Sequence, residues 1–203
     1  FRGSSDGLYA RGIQNIVCRH EGGAAMMAEE QGKLTGQPGV CFVTRGPGAC
    51  NASAGVHVAR QDSTPMVLFV GQIDSGQTDR ETFQEVDYKP MFGALAKGVF
   101  QCNDTARLPE YIARVFRLAM SGRPGPVVLA LPENMLSASA DVPDFAGFWQ
   151  TSVTLDDGVW DDLLTRLRGA KRPVMVVGGP HWSADTEKTL GAFASAAQIP
   201  VAT

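Results

Sequence analysis

Arg19-His20-Glu21-Gly22-Gly23-Ala24 sets a carboxylate where a short apolar run gives way to a small-residue stretch. Two glycines directly after Glu21 remove the side chains that would hold a flat group away from that carboxylate. An acidic residue at a helix start also complements the positive end of the helix dipole, so residue types alone leave both roles open. A second feature is Arg45-Gly46-Pro47-Gly48, a glycine turn ahead of a helix-like stretch. Such a turn can cradle an anion on backbone N–H groups, or simply join a strand tightly to a helix. It carries neither the Gly-x-Gly-x-x-Gly pattern with its ribose-binding acid nor the Lys-Ser/Thr of a phosphate loop, so phosphate is poorly supported. Gly178-Gly179 resembles a dinucleotide turn only loosely. The third feature, Thr82-Phe83-Gln84-Glu85, lies at the end of a Gly/Asp/Gln-rich loop over 71–82.

These residues need a frame. Short, nearly unbroken apolar runs predict strands at Asn15 to Cys18, Val40 to Thr44, Met66 to Gly71, Lys97 to Gln101 and Val127 to Leu131. Helices are expected over 22–36, 49–60, 86–93 and 105–121. Runs of this kind suit strands buried on both faces of a parallel sheet. The fold class is therefore α/β, an open and mostly parallel sheet with helices on both faces. Ligands of such sheets bind outside the carboxyl ends of the strands. Glu21, the 45–48 turn and the 71–84 loop all fall at those ends.

Pro132-Glu133-Asn134-Met135 ends the fifth run, and the Ser/Ala/Asp/Pro-rich passage after it predicts a linker over 137–152. The first domain would then be 1–136. Residues 153–203 read as the start of a second α/β domain: a helix over Asp156 to Arg168, a strand and glycine turn over Pro173 to Gly179, a helix over 183–197 and a strand from Ile199. So few elements cannot bury a core of their own, and the expectation is a portion of a longer polypeptide.

Composition narrows the class. A net charge of −3, without any Lys/Arg cluster, supplies no field for nucleic acid. No apolar run approaches the ~20 residues of a membrane span. The four cysteines are scattered, and buried filler is the expected role for each, although Cys50 lies near a helix start that could lower its pKa. Reduced thiols suit the cytoplasm. His20, His57 and His181 lie far apart and form no ligand set, so no metal site is expected.

Taken together the motifs resemble the thiamine-diphosphate enzymes of the acetolactate synthase type, in their N-terminal pyrimidine-binding domain. The matching text is Arg19 to Ala24, Lys33-Leu34-Thr35-Gly36-x-Pro38-Gly39-Val40, Thr44-Arg45-Gly46-Pro47-Gly48-Ala49-x-Asn51 and Asp62-Ser63-Thr64-Pro65. Phe83-Gln84-Glu85 and Ser121-Gly122-Arg123-Pro124-Gly125-Pro126-Val127 complete it. The likeness covers about residues 15 to 136 in order and spacing, and Arg172 to Thr203 resembles the opening of the family's central domain.

The resemblance implies thiamine-dependent decarboxylation or carboligation of a 2-oxo acid. It implies that Glu21 hydrogen-bonds the pyrimidine ring nitrogen and, as a buried acid, shares its proton to favour the imino form of the cofactor. Gly46, Pro47, Gly48 and Asn51 would pack on the pyrimidine, and Gln84 with Phe83 would reach the reacting groups. Gly22-Gly23 would admit the ring. Lys97 aligns near the substrate entrance of flavin-containing relatives. Arg123 is either their FAD contact or a strand-entry turn residue, since non-flavin relatives share its motif; FAD stays open. Magnesium and the diphosphate would belong to a domain whose Gly-Asp-Gly…Asn motif is absent here, so this chain holds half a site. The other half would come from a second subunit of a homodimer or homotetramer. The segment before Arg11 is too short and polar for the family's first strand, Pro-Gly turn and helix. The alternative is a catalytically silent cofactor-binding or regulatory domain; retention of Glu21 argues against it.

Overall fold

The computed structural model describes residues 2–143, 147, 154–179 and 182–203. The chain divides into two compact units, Phe1–Gln150 and Thr151–Thr203. The first unit runs α1 (Arg2–Ala10), α2 (Glu21–Thr35), β1 (Gly39–Val43), α3 (Pro47–Asp62), β2 (Met66–Gln72), α4 (Tyr88–Phe92), β3 (Gly98–Gln101), α5 (Leu108–Met120), β4 (Pro126–Pro132) and α6 (Glu133–Ser137). All four strands are parallel, in the order β1-β2-β4-β3. The fold is the expected α/β architecture.

Alternation along β2 divides the core. Met66, Leu68 and Val70 face α2, α3 and α4, together with Val56, Phe92 and Val128. Val67 and Phe69 face the other way, toward Val115 and Ala119 of α5 and Met135 of α6. Both sides of β2 and β4 are thus buried, which is why their sequences are continuous apolar runs.

The helix pair that carries the site is built from small residues. A Cβ added at Gly55 of α3 would lie 2.6 Å from Ala25 Cβ of α2, closer than atoms can pack. With Ala25, Ala28, Ala52, Val56 and Ala59 in the same core, the two backbones come nearly into contact.

Three expectations are corrected. Asn15 to Cys18 forms no strand, and Ile16 and Val17 are exposed. Apolarity makes that run look like an inner strand, but among the described residues no strand pairs with it, and unpaired backbone does not make a sheet. The polar segment before Arg11 is helical, as α1. Glu133–Ser137, read from sequence as the end of a strand and the start of a linker, forms the short helix α6, packed through buried Met135. Residues 144–146 and 148–152 of the expected linker, and His181, lie outside the described residues.

The second unit contains α7 (Asp157–Gly169), β5 (Met175–Val176), α8 (Ala184–Ala197) and β6 (Val201–Ala202). β5 and β6 pair in parallel. Among the described residues no helix is long and apolar enough to cross a membrane.

Candidate active site

Glu21 opens α2. The preceding residue, His20, takes extended backbone and caps the helix, its Nδ1 accepting the Gly22 N–H at 3.0 Å. The close α2–α3 crossing brings Asn51 up to this point, and its Nδ2 donates to Glu21 Oε2 at 3.0 Å. That amide, helped by the residue's own backbone N–H and by His20, holds the Glu21 carboxyl below the usual carboxylate range against a small opposing effect of burial. The acid is half-exposed rather than buried, so the expected protonated glutamate is not what this chain forms by itself. Desolvation raises a carboxyl pKa, and at this half-exposed position the hydrogen bonds outweigh it.

Gly46 and Gly48 frame the other side. Gly46 precedes α3 with φ 61° and ψ −113°, a conformation that favours glycine. A Cβ there would lie 2.9 Å from Gln84 Cβ, so the turn and the 73–87 loop are in direct contact. A Cβ at Gly48 would stand 2.8 Å from Thr44 Cγ2 and 3.5 Å from Glu21 Oε1. Gly22 is filled differently from the expectation: an added Cβ would press on His20 and the Asn51 carbonyl at 3.0 to 3.2 Å, so its glycine serves packing within the chain. Gly23 meets nothing within 4 Å and leaves the helix start bare.

Gln84 sits at φ 69°, a left-handed conformation that costs a residue with a side chain roughly 1 kcal/mol. The surrounding loop is braced to hold it. Gln72 Nε2 donates to the Val86 carbonyl at 2.8 Å, Asn134 Oδ1 accepts the Ser75 N–H at 3.0 Å, and Glu85 Oε1 accepts the Asp79 N–H at 3.0 Å. Phe83 beside it is 82% exposed.

Glu21, Gly48, Asn51, Gly46 and Gln84 thus meet at the carboxyl edge of the sheet. Arg123 does not. Its Nε donates to Ser63 Oγ at 2.6 Å and its Nη2 to the Gln61 carbonyl at 3.0 Å, closing the far end of α3. That end is about 24 Å along the helix from Pro47. Lys97 is at the same amino edge, its Nζ bonded to the Ser121 carbonyl. Burial, with Arg60 nearby, lowers the Lys97 pKa.

Several site residues owe their placement to contacts that the sequence does not signal. Tyr88, Thr44 and the Arg45–Glu133 ion pair (2.9 Å) gain their roles only through long-range contacts. The Arg45 Nε is buried without a hydrogen-bond partner. A cavity of about 580 Å³ opens on the β3 side of the 73–87 loop, between Gln72, Glu85, Tyr88, Phe100 and Tyr111. It includes none of the residues around Glu21. The candidate site is an open edge, not that cavity. Among the described residues no cluster of three or more His, Cys, Asp or Glu is placed to hold a metal.

Residues 4–91 match the family described as thiamine pyrophosphate enzyme, N-terminal TPP binding domain, an interval that contains all of the converging residues. The chain is 35% identical over 195 residues to the acetolactate synthase isozyme 2 large subunit of Escherichia coli strain K12, covering 96% of this chain and 36% of that protein. The chain carries an N-terminal domain of the thiamine pyrophosphate enzymes and is similar along nearly all its length to acetolactate synthase large subunits. The acetolactate synthase large subunits of Corynebacterium glutamicum and Lactococcus lactis are 34% and 35% identical over 94% of this chain, and 31% and 34% of their own lengths. The chain therefore spans about a third of the curated relatives it matches. Within the family match, Glu21 and Asn51 form a direct side-chain pair joining the α2 and α3 starts.

Proposed function

We propose that this chain supplies the aminopyrimidine-facing half of a thiamine diphosphate site, in an enzyme that decarboxylates or joins 2-oxo acids. The observation that carries the proposal is the Glu21–Asn51 pair seated beside Gly48 and Gln84 at the carboxyl edge of a parallel sheet. The residues fit the group. A flat nitrogen heterocycle needs a carboxyl partner in a region stripped of side chains. Gly23 leaves bare surface beside Glu21, and Gly48, buried against Thr44, lets the start of α3 close on Glu21 Oε1. When bound, thiamine diphosphate supplies the carbon nucleophile and the electron sink that release of carbon dioxide from a 2-oxo acid requires.

The chain's own residues have separable tasks. Glu21 holds a proton for a ring nitrogen. Because the Asn51 amide donates to Oε2, that proton belongs on Oε1, the oxygen nearer Gly48. Gly46, Pro47 and Gly48 with Asn51 pack beside the ring, and Gln84 with Phe83 faces the reacting groups. For Glu21 to keep a proton near neutral pH, the edge must be covered and dried. In this reading a second copy of the protein covers it, giving a homodimer or a tetramer. Magnesium and the diphosphate are assigned outside this chain. FAD is left out of the proposal, because the Arg123 guanidinium closes the α3 terminus.

Glu21→Gln in the full-length protein is the test. Glutamine keeps the shape but has no carboxyl proton to share, so thiamine-dependent turnover should fall roughly a hundredfold or more with the melting temperature matched. Turnover within about threefold of wild type would count decisively against the role, being far below a proton-transfer contribution.

A further inference from the structure

The Gly46–Gly48 turn is held by a side chain outside it. Tyr88, the first residue of α4, is 3% exposed. Its hydroxyl accepts the Gly46 N–H at 3.0 Å and donates to the Gly71 carbonyl at 3.1 Å. One oxygen therefore joins the carboxyl end of β2 to the turn that starts α3.

We propose that Tyr88 is a positioning residue for the cofactor-facing edge, its hydroxyl fixing the turn against β2 and, through the turn, the placement of Gly48 and Gln84. The proposal rests on the functional reading above. Three observations support it. Gly46 lies ahead of α3, so its N–H has no helical acceptor, and the phenol oxygen is the partner that satisfies it. The Gly46 Cα is packed so tightly on Gln84 that any outward movement of the turn must release or drag that residue, which is already held at φ 69°. The ring is itself 3% exposed and packs with its centroid 6.2 Å from that of fully buried Phe92.

Burial raises the Tyr88 pKa, while its bond from Gly46 and the nearby Arg45 act in the opposite direction. The neutral phenol can both accept and donate, as the two bonds require. Tyr88 makes no direct hydrogen bond to Glu21 or Asn51 and acts on them through the turn. Replacing it by phenylalanine keeps the ring and strands two backbone groups, which then pair with water only if the turn moves outward.

Hydrogen exchange in the full-length protein reads this directly. In Tyr88→Phe the Gly46 amide should exchange at least about tenfold faster, while Leu68 in the middle of β2 keeps its protection. Unchanged Gly46 protection in the folded variant overturns the proposal. If the variant does not fold, the wild type decides: a nuclear Overhauser contact between the Tyr88 ring and the Gly46 amide is expected, and its absence overturns the anchor.

Kinetics separates positioning from general loosening. With thiamine diphosphate and magnesium present, Tyr88→Phe should lower kcat about tenfold with the KM for pyruvate within about twofold. Val115→Ala, which opens a cavity in the opposite core, should lower the melting temperature and leave kcat unchanged. Equal losses of kcat in the two variants would overturn a positioning role. A wild type without thiamine-dependent turnover would sink the functional reading instead, and the exchange result would still decide whether Tyr88 holds the turn.

Discussion

At the scale of single residues, the site is a carboxylate whose proton affinity is set by its neighbours. Asn51 favours the charged form of Glu21 by donating to it, and desolvation at this half-exposed position is too small to oppose this. In this chain by itself the Glu21 carboxyl carbon should therefore titrate below the ordinary glutamate range by NMR, and Asn51→Ala should move it upward. The sign for stability follows from the lowered native pKa. The contribution is fully present above the unfolded glutamate pKa and is lost as pH falls through the folded value. Asn51→Ala should then flatten the acid limb of a denaturation series, and an unchanged limb with an unchanged Glu21 titration would remove Asn51 from the account. The sequence made Glu21, the 46–48 turn and the loop ending at Gln84 conspicuous, and the carboxyl-end rule for parallel sheets already put all three at one edge. Only their separate roles toward a cofactor came from the family resemblance. Tyr88 was not legible at all, because a hydroxyl that bridges residues 46 and 71 leaves no mark on its neighbours in sequence.

At the scale of elements, the Glu21–Asn51 distance is a consequence of how α2 packs on α3. Gly55 is the closest point, with an added Cβ meeting both the side chain and backbone of Ala25 below 3 Å. Gly55→Ala should separate the helices and destabilise the domain by about 1–3 kcal/mol despite alanine's better helix propensity. Chemical denaturation measures the loss, and a stability equal to or above wild type would mean that the helices can shift apart without strain. The same packing explains which elements the sequence revealed. β2 and β4 read clearly because burial on both faces demands unbroken apolar residues. Asn15 to Cys18 has the same composition, yet pairing depends on a neighbour that composition does not encode. α6 was hidden because Pro132 ends a strand and also serves as the N-cap of the helix that follows.

At the scale of the whole molecule, the question is what dries the edge. Ile16 and Val17 are exposed just before Glu21, with Val17 90% accessible, and Met26 and Met27 are exposed in the first half of α2. Apolar side chains clustered beside a half-exposed acid suit a surface that is covered in the assembled protein. A proton on Glu21 Oε1 requires the same cover. If a second copy provides it, a two-fold axis repeats the junction, and each site combines residues around Glu21 of one subunit with the diphosphate-holding part of the other. A mixing experiment then has a definite outcome. In that arrangement full-length Glu21→Gln protein would be inactive at every site of its homodimer, and so would a full-length variant disabled only where the diphosphate is held. After subunit exchange, one of the two sites in a heterodimer has both halves intact, so two inactive preparations should regain thiamine-dependent turnover on mixing. A monomer that turns over in sedimentation experiments, or proven exchange with no recovery, would mean that the proton on Glu21 is kept by some other cover than a second copy of this protein.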